Sequence, residues 1–456
     1  VKSRTQNLKG YRFDVSNNTI AGFYGGIICQ NISVPDVFNI SNNTISYFNY
    51  AALSLGDVSS SGLFVDNNVI YHFSGAAIVL TGSYYPYSEG TAGEISFSNN
   101  TTDSTFGEST SQGLYINSLN GLGSLNINNN SIHNSYGNKG IEISEMNGYY
   151  GPGTKTRINT SPIKFDKSLP YNDALNKLRT DMEAYSKTKN SVAHAKENGH
   201  PSASKSGISV LVSGNSVESF GEDAIYIGSI DNVDLTMSEN TVEPTGYSRK
   251  GFYLPYIPVN CGITLTNNTI NANDGIYFDN GINGYATMIK GNTINAYYRG
   301  IIAYDCQSRQ FEISGNNISR IVQPGKTSNT KEGYDYNGIV FSYYYDGDGG
   351  EDVIISDNTI ESFDTGIYCD GIFTFASISM NGNSINNSYY GMIFYSGPSS
   401  QNLNISENTI SEFGGTGISP PSGKGHQPRH SCRSSRWTQP RSCPPSPNRR
   451  SVPHRA

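Results

Sequence analysis

The residues offering most chemistry in the shortest space stand in one run, Tyr343 to Asp352, Y-Y-Y-D-G-D-G-G-E-D. Asp346, Asp348, Glu351 and Asp352 supply several hard oxygens on a glycine-flexible loop, the donors that a calcium ion prefers. Their spacing completes no known calcium loop, and a solvated acidic turn is the plainer reading of the same residues. Calcium is the single cofactor that the chain suggests. Tyr343, Tyr344 and Tyr345 can stack on sugar rings, although tyrosines along a strand serve structure as well.

A second acidic pair, Glu222-Asp223 in F-G-E-D-A-I-Y-I, sits in a turn that precedes a strand. A glycosidase needs two carboxylates at a defined separation, which one adjacent pair does not supply, so a solvated turn is expected here. Arg299, Arg309 and Arg320 lie near one another without a motif. The seven histidines are scattered: His72 and His133 are expected to face solvent, His194 and His200 lie in an insertion, and three lie beyond residue 418. No metal-ligand spacing appears among them, and no residue is assigned a catalytic role.

These residues hang on a repeat. From Val353 to Tyr368, V-I-I-S-D-N-T-I-E-S-F-D-T-G-I-Y, a β-prone run is followed by a turn at Asp357-Asn358-Thr359 and apolar positions at Ile360 and Phe363. A break at Gly366 then opens a second β-prone run. The pattern returns ending at Ile385 and Ile410, and near the start at Ile20, Ile45 and Ile70. A period in the twenties made of strand, turn and strand marks a solenoid.

Aligned on the position after the turn, the chain gives Ile20, Ile45, Ile70, Thr102, Ile132, Val217, Val242, Ile270, Ile294, Ile318, Ile360, Ile385 and Ile410. Two residues before each stands an asparagine: Asn18, Asn43, Asn68, Asn100, Asn130, Asn215, Asn240, Asn268, Asn292, Asn316, Asn358, Asn383 and Asn408. Asparagine tolerates a left-handed corner. Stacked at the spacing of paired strands, about 4.8 Å, its amide also donates to one neighbour and accepts from the other. Phe23, Phe48, Phe73, Phe220, Phe363 and Phe413 fall three residues past the aligned position, which predicts an internal aromatic column.

Each asparagine follows one strand, and a G-I, G-L or G-M step opens another at Ile27, Leu114, Ile141, Ile276, Ile301, Ile339, Ile367 and Met392. Alternation turns the residue after each such step outward. Tyr115, Tyr226, Tyr277 and Tyr368 therefore form an outward row, a candidate surface for a glycan or a protein, with Val79, Val340 and Ile393 in the same line. The same alternation places Cys29 and Cys369 inside, many coils apart. Both read as small core residues.

Apolar residues make up 36% of the 456, with 49 Gly, 32 Tyr and one Trp, which suits neither a disordered nor a helical chain. No run of about 18 apolar residues predicts a membrane-spanning helix. The region before residue 419 holds 23 cations against 38 acids and carries −15, whereas the tail carries +8. An acidic body argues against nucleic acid as its partner. Val1 opens without an initiator Met or a signal-peptide pattern, as a piece of a longer chain would.

Three stretches interrupt the repeat. An insertion at about 149–206 carries Leu175, Leu178, Met182 and Tyr185 at helical spacing and predicts a short amphipathic helix. Polar loops at 321–337 and 342–352 belong to one long coil. From 420 to 456 the composition becomes Arg, Pro, Ser and His, and the repeat stops at Gly417-Ile418. This tail reads as a disordered, out-of-frame or non-native segment.

The repeated N-T-I…G-I units resemble the parallel β-helix repeats of the pectin-lyase-like superfold, over about residues 11–419 apart from the insertion, and place a β-helix domain at 1–419. The resemblance implies an all-β, right-handed parallel β-helix, a single-stranded solenoid of about thirteen coils with one inserted, partly helical loop. Hydrolases of that superfold carry N-T-D, a D-D pair, G-H-G and R-I-K. G-H-G and R-I-K are missing from this body. The expected role is therefore that of a secreted or surface-displayed bacterial rod, similar to an autotransporter passenger or adhesin, that binds a polysaccharide or a cell-surface glycan or protein. The alternative is a polysaccharide lyase, hydrolase or epimerase using acidic loops near Asp346 and Glu222.

Overall fold

The computed structural model describes residues 2–4, 12–22, 25–34, 36–81, 93–104, 112–120, 122–133, 139–147, 208–218, 220–243, 250–257, 261–282, 284–306, 308, 310–321, 336–344, 352–373, 377–395, 402–419 and 437–438. Among these, every regular element is a β-strand. A coil consists of a strand before the asparagine, a short strand after it, and a longer strand beyond the next corner. In the second coil these are Val37–Ser41, Thr44–Phe48 and Ala51–Ser59. Each pairs in parallel with its counterpart one coil on: Phe38 with Leu63, Ile45 with Ile70, and Leu53 with Ile78.

The strands preceding the asparagines form one thirteen-stranded parallel sheet, from Arg12–Ser16 to Asn402–Ser406. The short and long strands merge into a second system, because Thr269–Ile282 and Thr293–Cys306 pass from one class to the other without a break. The chain is a parallel β-helix. Its coils are drawn from residues on either side of 150–206.

The core follows from like stacking on like. Ile45, Ile70, Val217, Ile270, Ile294, Ile318, Ile360 and Ile385 are all fully buried, each on its counterpart in the next coil. Burying one such side chain contributes about 1.5–3 kcal/mol. Gly366 shows why the step before the long strand is glycine. A Cβ there would lie 2.5 Å from Ile385 Cγ2 of the next coil and 2.8 Å from the Gly391 carbonyl. Cys29 and Cys369 are buried inside, as alternation requires, and burial pushes their thiols up to about 11 and about 12.

The thirteen asparagines form one unbroken line. The Asn18 amide donates to Asn43 Oδ1 at 2.9 Å, Asn43 to Asn68 at 3.0 Å, and so on to Asn383, which donates to Asn408 at 2.9 Å. Each interior amide is saturated. Asn240 Nδ2 donates to Asn268 Oδ1 at 2.9 Å and to the Val212 carbonyl at 2.8 Å, while its Oδ1 accepts from the Asn215 amide and backbone N–H. Full satisfaction is what lets a polar column sit where Asn240 is completely buried.

The left-handed corner belongs elsewhere than expected. In every coil it is the residue before the ladder asparagine that takes positive φ, such as Asn17 (58°), Asn42 (55°), Glu239 (56°), Asp357 (56°) and Gly214 (64°). The two demands are divided between neighbours. One residue supplies the backbone conformation, which Gly, Asn, Asp or even Glu can adopt there, and the next supplies the amide, which only Asn provides in all thirteen coils.

Phe48, Phe73, Phe220 and Phe363 are buried, and Phe413 is half-buried. Four of the phenylalanines follow a left-handed residue at a second corner: Tyr47, His72, Ser362 and Glu412. Where the corner is replaced by a continuous strand, Ala272 and Ala296 fill the interior instead, so the aromatic column is interrupted. Phe23, the insertion with its predicted helix, and the loops 322–335 and 345–351 lie outside the described residues. So does the tail, apart from Trp437–Thr438, a two-residue strand beside Thr409–Ser411.

Candidate functional site

The outward row is one line of register. Val79 pairs with Tyr115, Tyr115 with Glu142, Glu142 with Tyr226, Tyr226 with Tyr253, and Tyr253 with Tyr277. The line continues through Ile302 and Val340 to Tyr368 and Ile393. The four expected tyrosines share it, but only Tyr226 and Tyr277 come close together, joined by Tyr253. Tyr115 is separated from them by Glu142, and its hydroxyl donates to Asn117 Oδ1 at 3.2 Å. Tyr368 stands beyond Ile302 and Val340, which are buried although they point away from the core.

Tyr226, Tyr253 and Tyr277 meet edge to face, with 5.5 Å between successive ring centroids. Tyr304 extends the run at 6.2 Å from Tyr277. Cations lie over the rings. Lys250 Nζ is 3.3 Å from the Tyr253 centroid and 4.7 Å from that of Tyr277, and Lys139 Nζ is 3.9 Å from that of Tyr226. An ammonium over a tyrosine face is worth about 0.5–2 kcal/mol according to its solvation. The Tyr253 hydroxyl donates to Asp279 Oδ2 at 3.0 Å, and that of Tyr277 approaches Oδ1 at 3.5 Å.

Beside the tyrosines runs a second line of register, Asp223 to Lys250, Lys250 to Asp274, and Asp274 to Arg299, with charge alternating at every coil. Arg299 grips Asp274 through two bonds, Nε to Oδ1 at 2.9 Å and Nη2 to Oδ2 at 3.0 Å. Lys139 pairs with Glu142 at 3.1 Å, and Gln112 donates to the same carboxylate at 2.6 Å. Burial pushes the Asp274 carboxyl above its usual range against the pull of Arg299. Burial and the Asp279 carboxylate push the Tyr277 phenol up to about 12 and raise that of Tyr253 as well; burial raises Tyr226. The phenols therefore stay protonated and act as donors.

Asp223 is not in a solvated turn. It is buried at 5% exposure because the strand begins at this residue, Asp223–Asp231, and register sets it opposite Lys250. Tyr343 and Tyr344 close the strand Asn337–Tyr344, and their side chains lie outside the described residues, as do Tyr345, Asp346, Asp348 and Glu351. Asp352 opens Asp352–Ser356 and is exposed. Among the described residues, no three His, Cys, Asp or Glu side chains cluster as metal ligands, and no helix is long and apolar enough to cross a membrane.

Sequence reasoning missed Tyr253 because its coil reads Gly251-Phe252-Tyr253, with Phe in the place of the usual Ile. It missed Lys139, Lys250, Asp274 and Arg299 because no motif joins them; they meet only across coils. Compared with protein-family models, curated proteins and solved structures, the chain gives no match.

Proposed function

We propose that the chain is a binding scaffold, a secreted or surface-displayed bacterial β-helix of adhesin type that holds a polysaccharide or cell-surface glycan along its outward tyrosine face. One observation carries the reading: three consecutive coils present Tyr226, Tyr253 and Tyr277 beside a line of alternating charge. Tyrosine offers a sugar an apolar ring face and a polar edge together. Alternating cations and carboxylates offer donors and acceptors in turn, which suits hydroxyl groups that do both. Because the charges nearly balance, a neutral or weakly charged glycan fits better than a polyanion.

A glycan array probed with the purified chain tests this, followed by titration of the best ligand against Tyr253→Ala. The expected result is saturable binding that weakens about tenfold or more, since stacking and hot-spot contacts of aromatic residues are commonly worth above 1 kcal/mol. Binding unaffected by Tyr253→Ala would remove this face from consideration.

A second reading, a polysaccharide-active enzyme, draws on Asp274, a buried carboxyl displaced above its usual range beside the same rings. Incubation with pectin, alginate and a glycan panel, with and without calcium, separates the two. Release of unsaturated or reducing ends favours the enzyme.

A further inference from the structure

Ser131 and His133 stand two residues apart in the short strand Ser131–His133, so both point outward on one face. The His133 Nε2 lies 2.6 Å from Ser131 Oγ, and its Nδ1 lies 3.0 Å from Glu218 Oε2 in the next coil. The tautomer follows from the partners. With the imidazole neutral, a carboxylate can only accept, so Nδ1 carries the proton and donates it to Glu218. Nε2 is then the bare nitrogen, and the Ser131 hydroxyl must donate to it. Glu218 is itself steadied by Ser216, whose hydroxyl donates to Oε1 at 3.3 Å. Hydroxyl held by base and base held by carboxylate is the arrangement that makes a serine nucleophilic.

We infer that Ser131 is an activated nucleophile for acyl transfer, with His133 as its general base and Glu218 as the positioning residue, acting on carboxylic esters of small acyl groups borne on a polar carrier. The acyl class follows from the surroundings. Thr101 and Asp103 flank the pair on one side and Ser216 and Glu218 on the other, polar side chains that offer nothing to a long hydrocarbon. In the reaction Ser131 Oγ bonds to the ester carbonyl carbon while its proton passes to His133 Nε2. The carbon to alkoxy bond then breaks, and the alcohol leaves with that proton. Water, deprotonated by His133, releases the acid and restores the serine. The hydroxyl of Thr101, one strand spacing from Ser131 at about 4.8 Å, stands on the side away from Glu218 as a donor for the developing oxyanion. The inference stands apart from ligand binding at the tyrosine face, which involves none of these residues.

The test is covalent labelling of the whole chain with a fluorophosphonate probe. Fluoride leaves phosphorus, the Ser131 oxygen takes its place, and the site is read by peptide mapping. Ser131 is expected to label ahead of all other serines. His133→Gln is expected to slow the reaction about a hundredfold or more, the usual contribution of a general base. Glu218→Gln should slow it as well, with Glu218→Asp recovering part of the rate, whereas His72→Gln leaves it unchanged. Turnover of p-nitrophenyl acetate should disappear in Ser131→Ala. Labelling of Ser131 no faster than Ser216, or equal rates in wild type and a folded His133→Gln, would overturn the assignment. Should the variants fail to fold, the site selectivity of the wild type decides alone.

Discussion

Asn130 and Asn215 are 85 residues apart along the chain, yet the Asn130 amide donates directly to Asn215 Oδ1 at 2.9 Å. The bond is no longer than those between asparagines 24 or 25 residues apart, such as Asn268 to Asn292 or Asn215 to Asn240. The insertion therefore leaves the coil geometry undisturbed, and the ladder rather than chain proximity sets the neighbour. Four stability measurements follow from this and from related features of the stack.

Asn240→Ala strands the Asn215 donors, one lone pair of Asn268 and the Val212 carbonyl, all buried. Unsatisfied buried groups cost about 1–3 kcal/mol each, partly relieved by relaxation, so a loss of about 2–4 kcal/mol is expected. Asn18→Ala, at the exposed end with a single ladder neighbour, should cost about 1 kcal/mol or less by the same arithmetic. Urea midpoints of the two variants decide the matter, and equal costs would speak against the ladder as the stabilising element.

The insertion should be removable. Register pairs Asn147 with Asp231 and Ile208 with Val233, and in that following coil Asn232 alone joins the two positions, at φ 56°. Replacing residues 148–207 by a single Asn or Gly is expected to give a folded chain with an unchanged β-sheet circular dichroism signal. Loss of cooperative melting in that variant would show that the segment supports the coils.

Thr102 stands in the aligned row between Ile70 and Ile132, is buried at 2%, and its hydroxyl finds no hydrogen-bond partner among the described residues. Thr102→Val keeps the shape and removes the unsatisfied group. A gain of about 1 kcal/mol is expected, read as a higher midpoint in thermal or urea unfolding.

The tyrosine face should respond to alkali. The Tyr277 phenol is raised from its ordinary value of 10.0 to about 12, chiefly by burial and then by Asp279. A group with a raised folded value stabilises the fold fully below its unfolded value and loses that contribution as pH climbs through the folded one. Stability is thus expected to hold from pH 7 to about 9 and to fall between about 10 and 12. The fall should be shallower in Tyr277→Phe. Urea midpoints across that range provide the check, and a profile identical in both proteins would refute the coupling.

The sequence alone determined the coil. Asparagine, a branched apolar residue two positions on, and glycine before the next strand recur because each answers a demand that every coil meets at the same place against its neighbour: a saturated amide, a filled core position, a place where no Cβ fits. Such demands repeat at every coil, so they leave a period that can be read along the sequence, and the outward tyrosine line follows from it by alternation. The local division of labour at the corner was not legible in the same way. Asn17 and Asn18 look interchangeable as letters, and only backbone geometry assigns the left-handed conformation to the first and the ladder to the second. Contacts between coils were decided by tertiary structure. Lys250 over Tyr277, Arg299 on Asp274, and Glu218 on His133 arise from strand register across chain separations of up to 85 residues. The physical reason is that a parallel stack sets each residue beside its counterpart in the next coil however long the intervening loop, so side chains that act together need not be near one another in the chain.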